Sequence, residues 1–316
     1  MRRLNALLPE GKRLEPIVSA ASENEKAKEQ AKAVEVDTGE KYPCSGITAK
    51  QGPRPTMEDT HVVYNSLIQA FPNLGEFYQE PLAFYAVYDG HGGIRTANLA
   101  QKILHKAVIE SSEFANKNIH KALDDAFTYT DRVILEKSAE EKWRDGSTAV
   151  VVLVTGNAVH VANAGDSEAV LAKRAGNAKW DAILLSKKHS PAEPSEKQRI
   201  EKAGGGVFYG RVCGSLAVSR ALGDLDFKEK PFVVATPFVH EYPTTEENEF
   251  LVLACDGLWD VMTYNEAVEF IGTRRLESNM SAQQVSLELV DCALKRGSMD
   301  NVSVIVVYLQ PVRKPQ

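Results

Sequence analysis

The chain has 316 residues, of which 43% are hydrophobic and 25% are charged, and its formal net charge is −6. This composition is typical of a folded globular protein, and the length fits one large domain or two ordinary ones. The longest unbroken apolar run has seven residues, Leu82 to Tyr88, whereas a membrane-spanning helix needs about 20. We therefore expect no membrane insertion. The acidic charge argues against a nucleic-acid partner, because such binding depends on Lys and Arg.

The four cysteines, Cys44, Cys213, Cys255 and Cys292, lie far apart and form no C-x-x-C pair. This spacing argues against a disulfide framework or a zinc ribbon and fits a reducing compartment. The terminal sequences carry no signal-peptide core, myristoylation glycine or prenylation box. We therefore predict a cytoplasmic location, a nuclear one, or both.

The first 41 residues differ from the rest of the chain. The segment from Ser22 to Lys41 is charged and nearly free of large apolar groups. Ser22 and Glu25 have the spacing of a capping box, and a thin apolar stripe follows at helical spacing, at Ala27, Ala31 and Val34. We predict a marginal helix or a flexible lead over residues 1–41, with a regulatory or docking segment as the alternative.

From Tyr42 onward, apolar runs bounded by turn residues predict a series of strands. They fall at residues 82–88, 148–155, 158–163, 169–173, 250–255 and 302–309. Two dipeptides between them, Gly156-Asn157 and Gly165-Asp166, are typical of hairpin turns.

Apolar residues at helical spacing predict helices over residues 94–109 and 119–135. Capping boxes at Thr263 and Ser281 begin two more, which extend to about Arg275 and Arg296. Hairpins and separate helices, without regular βαβ alternation, indicate an α+β protein with mostly antiparallel sheets. No linker rich in Pro, Gly or Ser interrupts residues 42–312, so we predict one domain there.

Acidic residues recur beside glycine where the apolar strands end. Asp89 and Asp256 each follow such a strand, and Asp300 precedes one. Carboxylates at strand ends can converge at one sheet edge, where they repel one another unless cations lie between them. Oxygen ligands of this kind select Mg²⁺, Mn²⁺ or Ca²⁺ rather than zinc. A single Asp-Gly is more often a turn than a ligand, but the glycine-rich run around His91 makes a poor plain turn.

Seven motifs occur in order along the chain. They are Arg54-x-x-Met57-Glu58-Asp59, Tyr88-Asp89-Gly90-His91-Gly92-Gly93, Asp145-Gly146-Ser147-Thr148-Ala149, Asn163-Ala164-Gly165-Asp166-Ser167, the run from Gly214 to Asp224, the run from Leu253 to Val261, and Gly297-Ser298-x-Asp300-Asn301-Val302-Ser303. Together they resemble the protein phosphatase 2C (PPM) family of metal-dependent protein serine/threonine phosphatases. The resemblance implies two antiparallel β-sheets packed face to face, with helices on both outer sides.

The resemblance also implies a site for two Mn²⁺ or Mg²⁺ ions. By the family pattern, Asp89 bridges the two ions and the carbonyl of Gly90 binds one of them. Asp256 and Asp300 hold the other ion, and Glu58 binds near the first.

Two further carboxylates have less direct roles in the family pattern. Asp59 contacts metal-bound water, and Asp166 supports a weaker third ion together with Asp256 or Asp260. The chain departs from the pattern at Glu168, where many family members have arginine. That change removes a positive charge near the third ion.

The implied activity is hydrolysis of phosphoserine and phosphothreonine in proteins by a water that the two metal ions activate. Arg54 matches the arginine that binds the phosphate, and its planar guanidinium suits two phosphate oxygens. His91 is the expected general acid, because a seryl or threonyl alkoxide is a poor leaving group that needs a proton.

The region from Glu193 to Arg220 matches the family's variable flap, and we predict a mobile loop there that faces the substrate. We interpret Arg220 and Asp224 as a structural pair that locks the fold. The alternative functions are another metal-dependent phosphoryl hydrolase, such as a nuclease, or a phosphatase-like pseudoenzyme scaffold. We expect a monomer that acts on phosphorylated proteins.

Overall fold

The computed structural model describes residues 42–176 and 179–312. The lead segment predicted over residues 1–41 lies outside the described residues. Within these two ranges, no helix combines the length and the apolar character that crossing a membrane requires.

The strands and helices occur in runs along the chain, and both vary widely in length. The strands are β1 (Cys44–Lys50), β2 (Thr60–Tyr64), β3 (Ala83–Tyr88), β4 (Gly90–His91), β5 (Gly146–Ser147), β6 (Ala149–Thr155), β7 (Ala158–Ala164), β8 (Glu168–Arg174), β9 (Trp180–Leu184), β10 (Val207–Phe208), β11 (Arg211–Val212), β12 (Leu222–Gly223), β13 (Phe238–Pro243), β14 (Asn248–Ala254) and β15 (Val302–Tyr308). The helices are α1 (Leu67–Ala70), α2 (Arg95–Ile109), α3 (Ser112–Ala115), α4 (Ile119–Glu141), α5 (Pro194–Lys202), α6 (Leu225–Lys228), α7 (Asp256–Trp259), α8 (Tyr264–Ser278) and α9 (Ala282–Lys295), with a 3₁₀ turn at Pro72–Glu76.

Two five-stranded antiparallel sheets form the centre of the fold. The first has the order β1-β15-β14-β8-β9, and the second has the order β13-β7-β6-β3-β2. Helices α8 and α9 pack on the outer face of the first sheet, and α2 and α4 pack on that of the second. This arrangement confirms the predicted sandwich of two sheets between helical layers.

Strand β3 shows why its sequence is apolar at every position. Ala83, Tyr85 and Val87 point into the core between the two sheets, and the alternate residues Phe84 and Tyr88 point toward the helices. Successive side chains of a strand face opposite sides, so a strand covered on both sides is buried throughout.

Both predicted capping boxes are present, at Thr263 before α8 and at Ser281 before α9. The turn at Gly156-Asn157 joins the antiparallel neighbours β6 and β7, as predicted. The hairpin predicted at Gly165-Asp166 is wrong, because β7 and β8 belong to different sheets. Here the chain crosses from one sheet to the other, and local sequence cannot distinguish that crossing from a hairpin.

The flap region is more ordered than the predicted loop. It contains α5 and the two-stranded hairpin of β10 and β11. A small apolar cluster of its own, which includes Ile200, Val212 and Val233, is buried beneath them.

Candidate metal centre

The segments that carry the predicted site lie where strands of both sheets begin or end. In the first sheet, Lys50 at the end of β1 pairs with Val302 at the start of β15. In the second, Thr60 at the start of β2 pairs with Tyr88 at the end of β3. The motif loops that precede or follow these strands therefore approach one another at one end of the sandwich.

Three of the predicted metal ligands are brought together there. Asp89, Asp166 and Asp256 each offer a carboxylate oxygen, and these oxygens lie within 4.8 Å of one another. A second group, Asp59, Asp89 and Cys255, meets the same limit. Asp89 belongs to both groups, so its carboxylate is shared by the two clusters of ligand atoms.

The clustered carboxylates disturb one another's protonation. Burial and the charges of Asp59, Asp256, Asp166 and Asp300 raise the pKa of Asp89 well above its usual range. Burial and neighbouring acids also raise the pKa of Asp256 to about 7, and burial raises the pKa of Asp166. Bound cations would remove this repulsion, because they favour the ionised form of every nearby acid.

Asp59 provides an independent test of whether cations fit. It is only 6% exposed, and no hydrogen-bond donor among the described residues reaches either carboxylate oxygen. Burial raises its pKa to about 6. A buried carboxylate without partners is costly, and a metal ion or its water would satisfy it. The oxygen-rich donor set fits Mg²⁺ or Mn²⁺.

Glu58 and Gly90 lie against each other beside this cluster. A side chain at Gly90 would place its Cβ atom 2.5 Å from the carbonyl oxygen of Glu58, so only glycine fits. The Glu58 carboxylate accepts a hydrogen bond from the backbone nitrogen of Gly93 at 3.2 Å. It belongs to neither of the two ligand groups above.

Arg54 lies beside the predicted ligand Asp300 on an exposed loop. Its Nη2 atom is 2.5 Å from a carboxylate oxygen of Asp300, and its Nε donates to the carbonyl of Met299 at 3.2 Å. The charge of Asp300 raises the pKa of both Asp89 and Asp256. The structure thus places the guanidinium next to the acidic cluster.

His91 contacts a residue that the sequence did not connect to it. Its Nε2 atom lies 2.9 Å from both carboxylate oxygens of Asp224. Burial lowers the pKa of His91, but the hydrogen bond and charge of Asp224, together with the charges of Asp166 and Glu58, outweigh burial, so the net pKa is raised. The predicted pair of Arg220 and Asp224 is wrong, because Arg220 binds Glu196 instead, at 2.5 Å.

Glu168, where the chain departs from the family pattern, is buried in β8. Its carboxylate accepts a hydrogen bond from the hydroxyl of Tyr264 at 2.9 Å, and burial raises its pKa. The nearby positive charge of Lys188 lowers the pKa values of Asp166 and Asp256. A lysine from another loop therefore brings positive charge to this side of the cluster.

Three residues of the site were assigned no part in the chemistry from the sequence. They are Asn301, which binds the backbone of the Glu58 loop, Cys255 beneath Asp89, and Asp224. All three occur within recognised motifs, so the motif boundaries contained the signal. Cys255 follows a buried strand and looked like a core residue.

Comparison with known proteins identifies the family. The model of the family described as protein phosphatase 2C matches residues 45–302, and the chain belongs to that family. It is 39% identical over 280 residues to protein phosphatase 2C homolog 2 of Aspergillus fumigatus, covering 84% of this chain and 64% of that protein. It is 36% identical to the integrin-linked kinase-associated serine/threonine phosphatase 2C of Mus musculus, covering 83% of this chain and 71% of that protein.

The relatives differ widely in length. The chain is 40% identical to protein spalten of Dictyostelium discoideum over 84% of its own length but spans only 28% of that protein. Among solved structures, a serine-threonine phosphatase 2C from Toxoplasma gondii has the same fold, with a TM-score of 0.74 at 23% identity. That match covers 85% of this chain and 95% of the other.

Proposed function

We propose that this protein hydrolyses phosphoserine and phosphothreonine in protein substrates with two bound Mn²⁺ or Mg²⁺ ions. The observation that carries the proposal is the convergence of Asp89, Asp166 and Asp256, whose carboxylate oxygens lie within 4.8 Å of one another. His91 follows Asp89 by two residues. Membership of the protein phosphatase 2C family supports it. So does the name of the mouse relative, a serine/threonine phosphatase.

In this proposal the acidic cluster holds the metal ions. Asp89, the Gly90 carbonyl and Glu58 would hold one ion, and Asp89, Asp256 and Asp300 would hold the other. Asp166 supports a weaker third ion. Two such ions supply a Lewis acid and lower the pKa of bound water.

Two basic side chains act on the substrate itself. The Arg54 guanidinium binds phosphate oxygens, a geometry that suits its planar pair of donors. For this it must share its donors with Asp300, or release that contact. His91 donates a proton to the departing serine or threonine oxygen.

The direct test is phosphate release from a phosphothreonine peptide in Mn²⁺, in Mg²⁺ and in EDTA. We expect turnover with either ion, a preference that identifies the better one, and none in EDTA. Calorimetric Mn²⁺ binding without turnover would indicate a pseudoenzyme scaffold. Turnover confined to a single-stranded DNA substrate would indicate a nuclease.

The role of His91 is tested by changing the leaving group. A general acid typically contributes about 10²–10⁴-fold, and less where the leaving group needs no proton. His91→Gln should therefore lower kcat severely on the phosphothreonine peptide and much less on p-nitrophenyl phosphate. If the histidine only supports the turn at Asp89 and Gly90, both substrates should lose equally and Mn²⁺ binding should weaken.

We also propose that the protein is a monomer of the cytosol, the nucleus, or both. Among the described residues, Cys213, Cys255 and Cys292 form no disulfide, which is consistent with a reducing compartment. Sedimentation of the purified chain and fractionation of cells that express it test the two statements. A dimer at micromolar concentration, or recovery with secreted proteins, would contradict them.

A further inference from the structure

We propose that Asp224 is a positioning residue for His91: it holds the imidazole by Nε2 and leaves Nδ1 as the nitrogen that protonates the leaving group. This inference rests on the proposed phosphatase function.

His91 and Asp224 are in direct contact. The Nε2 atom of His91 is 2.9 Å from each carboxylate oxygen of Asp224. Asp224 is only 3% exposed, and in the part of the chain that the structure describes no other donor reaches its carboxylate. A buried carboxylate needs a partner, so the pairing with His91 satisfies both groups. The His91 side chain is 30% exposed, which leaves part of the ring accessible.

The backbone around Asp224 holds the carboxylate in place. Asp224 has φ +55°, a left-handed conformation that non-glycine residues rarely adopt, and it follows Gly223 with φ +76°. The Asp224 nitrogen donates to the carbonyl of Asp145 at 3.2 Å, and the Gly223 nitrogen donates to Asp131 at 2.8 Å. Strained backbone persists where surrounding contacts impose it, and it is concentrated at functional sites.

A small three-stranded sheet brings the two residues together. Its order is β12-β5-β4, and Gly146 in the middle strand pairs with His91 on one side and Gly223 on the other. A Cβ atom on Gly146 would lie 2.3 Å from a carboxylate oxygen of Asp224 and 2.4 Å from Nε2 of His91. Only glycine at position 146 therefore leaves room for the pair.

The chemistry follows from which ring nitrogen is occupied. Because Nε2 points to Asp224, Nδ1 is the nitrogen available to a substrate. The ring begins with a proton on each nitrogen. As the oxygen of water bonds to phosphorus and the phosphorus–oxygen bond to serine or threonine breaks, the departing oxygen takes the Nδ1 proton, and the proton that the water loses passes through solvent and restores Nδ1. The ring then keeps its other proton on Nε2, toward Asp224. A hydrogen bond at one ring nitrogen sets the proton position and orientation of the other.

The test compares Asp224→Asn with wild type on two substrates. We expect kcat on the phosphothreonine peptide to fall by at least about tenfold, part of the roughly 10²–10⁴ that a placed general acid supplies. KM should hardly change. Turnover of p-nitrophenyl phosphate should fall much less, and the Mn²⁺ titration should keep its midpoint. Because both residues act in one step, Asp224→Asn should add little further loss to His91→Gln.

Asp226→Asn is the matched control. Asp226 is exposed, lies two residues away, and pairs with Arg144 at 3.0 Å, so this variant should match wild type on both substrates. Equal losses on both substrates in a folded Asp224→Asn protein, or losses that add to those of His91→Gln, would overturn the proposal. Absence of peptide turnover in the wild type would instead refute the proposed function.

A measurement on the wild-type chain does not depend on how Asp224→Asn folds. The ¹⁵N spectrum of the imidazoles should show a proton on Nε2 of His91, assigned by its loss in His91→Gln. A neutral His91 ring with its proton on Nδ1 would overturn the proposal.

Discussion

The side-chain oxygen of Asn301 accepts a hydrogen bond from the backbone nitrogen of Glu58 at 2.8 Å. The Asn301 amide also donates to the carbonyls of Gln51 and Thr56, at 2.8 and 2.9 Å. One side chain, immediately before β15, thus holds the loop that carries Arg54 and Glu58. Asn301 itself follows the proposed ligand Asp300, so the loop and the ligand are fixed together.

Asn301→Ala should therefore weaken metal binding and stability together. Three hydrogen bonds are lost, each worth about 0.5–1.5 kcal/mol, so we expect a decrease of about 1.5–4.5 kcal/mol in the free energy of unfolding. Loss of such a supporting residue typically lowers metal affinity about 10–100-fold. Denaturant unfolding and a Mn²⁺ titration check both values. Asn73→Ala, at an exposed position, is the control, and unchanged Mn²⁺ affinity in Asn301→Ala would contradict the prediction.

Asp89→Asn should abolish turnover and leave the fold intact. Asp89 is the carboxylate shared by the two ligand groups, so its neutralisation weakens both proposed ion sites. Its raised pKa means that the ionised form is unfavourable in the metal-free fold. The variant in EDTA should consequently melt at or above the wild-type temperature. Near-normal Mn²⁺-dependent activity in this variant would refute the two-ion assignment.

The stabilisation of the protein by Mn²⁺ should increase with pH between 5.5 and 7.5. The folded pKa values of Asp59 and Asp256, about 6 and about 7, exceed their ordinary value of 3.8. In the metal-free protein, these acids therefore destabilise the fold progressively as pH rises toward 7. Bound cations remove that penalty and require the ionised ligands.

The measurement is the difference in melting temperature between Mn²⁺ and EDTA at each pH. The difference is needed because burial lowers the pKa values of other histidines, including His61, His105 and His160. These residues destabilise the fold on acidification, and they do so equally in both conditions. A difference that does not vary with pH would mean that the acidic cluster does not hold the metal.

A chain that begins at Glu40 should keep its activity on a phosphopeptide. The first strand, β1, begins at Cys44 and pairs along its length with β15, and every motif of the proposed site lies beyond it. The expected result is an unchanged kcat/KM relative to the full chain. Insolubility, or loss of turnover, would show that the preceding residues belong to the core or to an essential lid.

The sequence by itself determined the elements and the ligand types. Strand β3 could be predicted because both of its faces are buried, and α8 and α9 because Thr263 and Ser281 satisfy their first amide groups. The acidic residues beside glycine were also evident, because each one directly follows or precedes an apolar run in the sequence. In each case the signal lies in residues that are near one another in sequence.

Tertiary structure alone decided which of these residues meet. His91 and Asp224 are 133 residues apart, and Glu58 and Asn301 are 243 apart, so no local pattern indicates either pair. The crossing at Gly165 was not predicted either, because a glycine turn can lead to an adjacent strand or to another sheet, and the local sequence does not distinguish the two. Packing of the two sheets, through contacts between distant residues, selected the partner in every one of these cases.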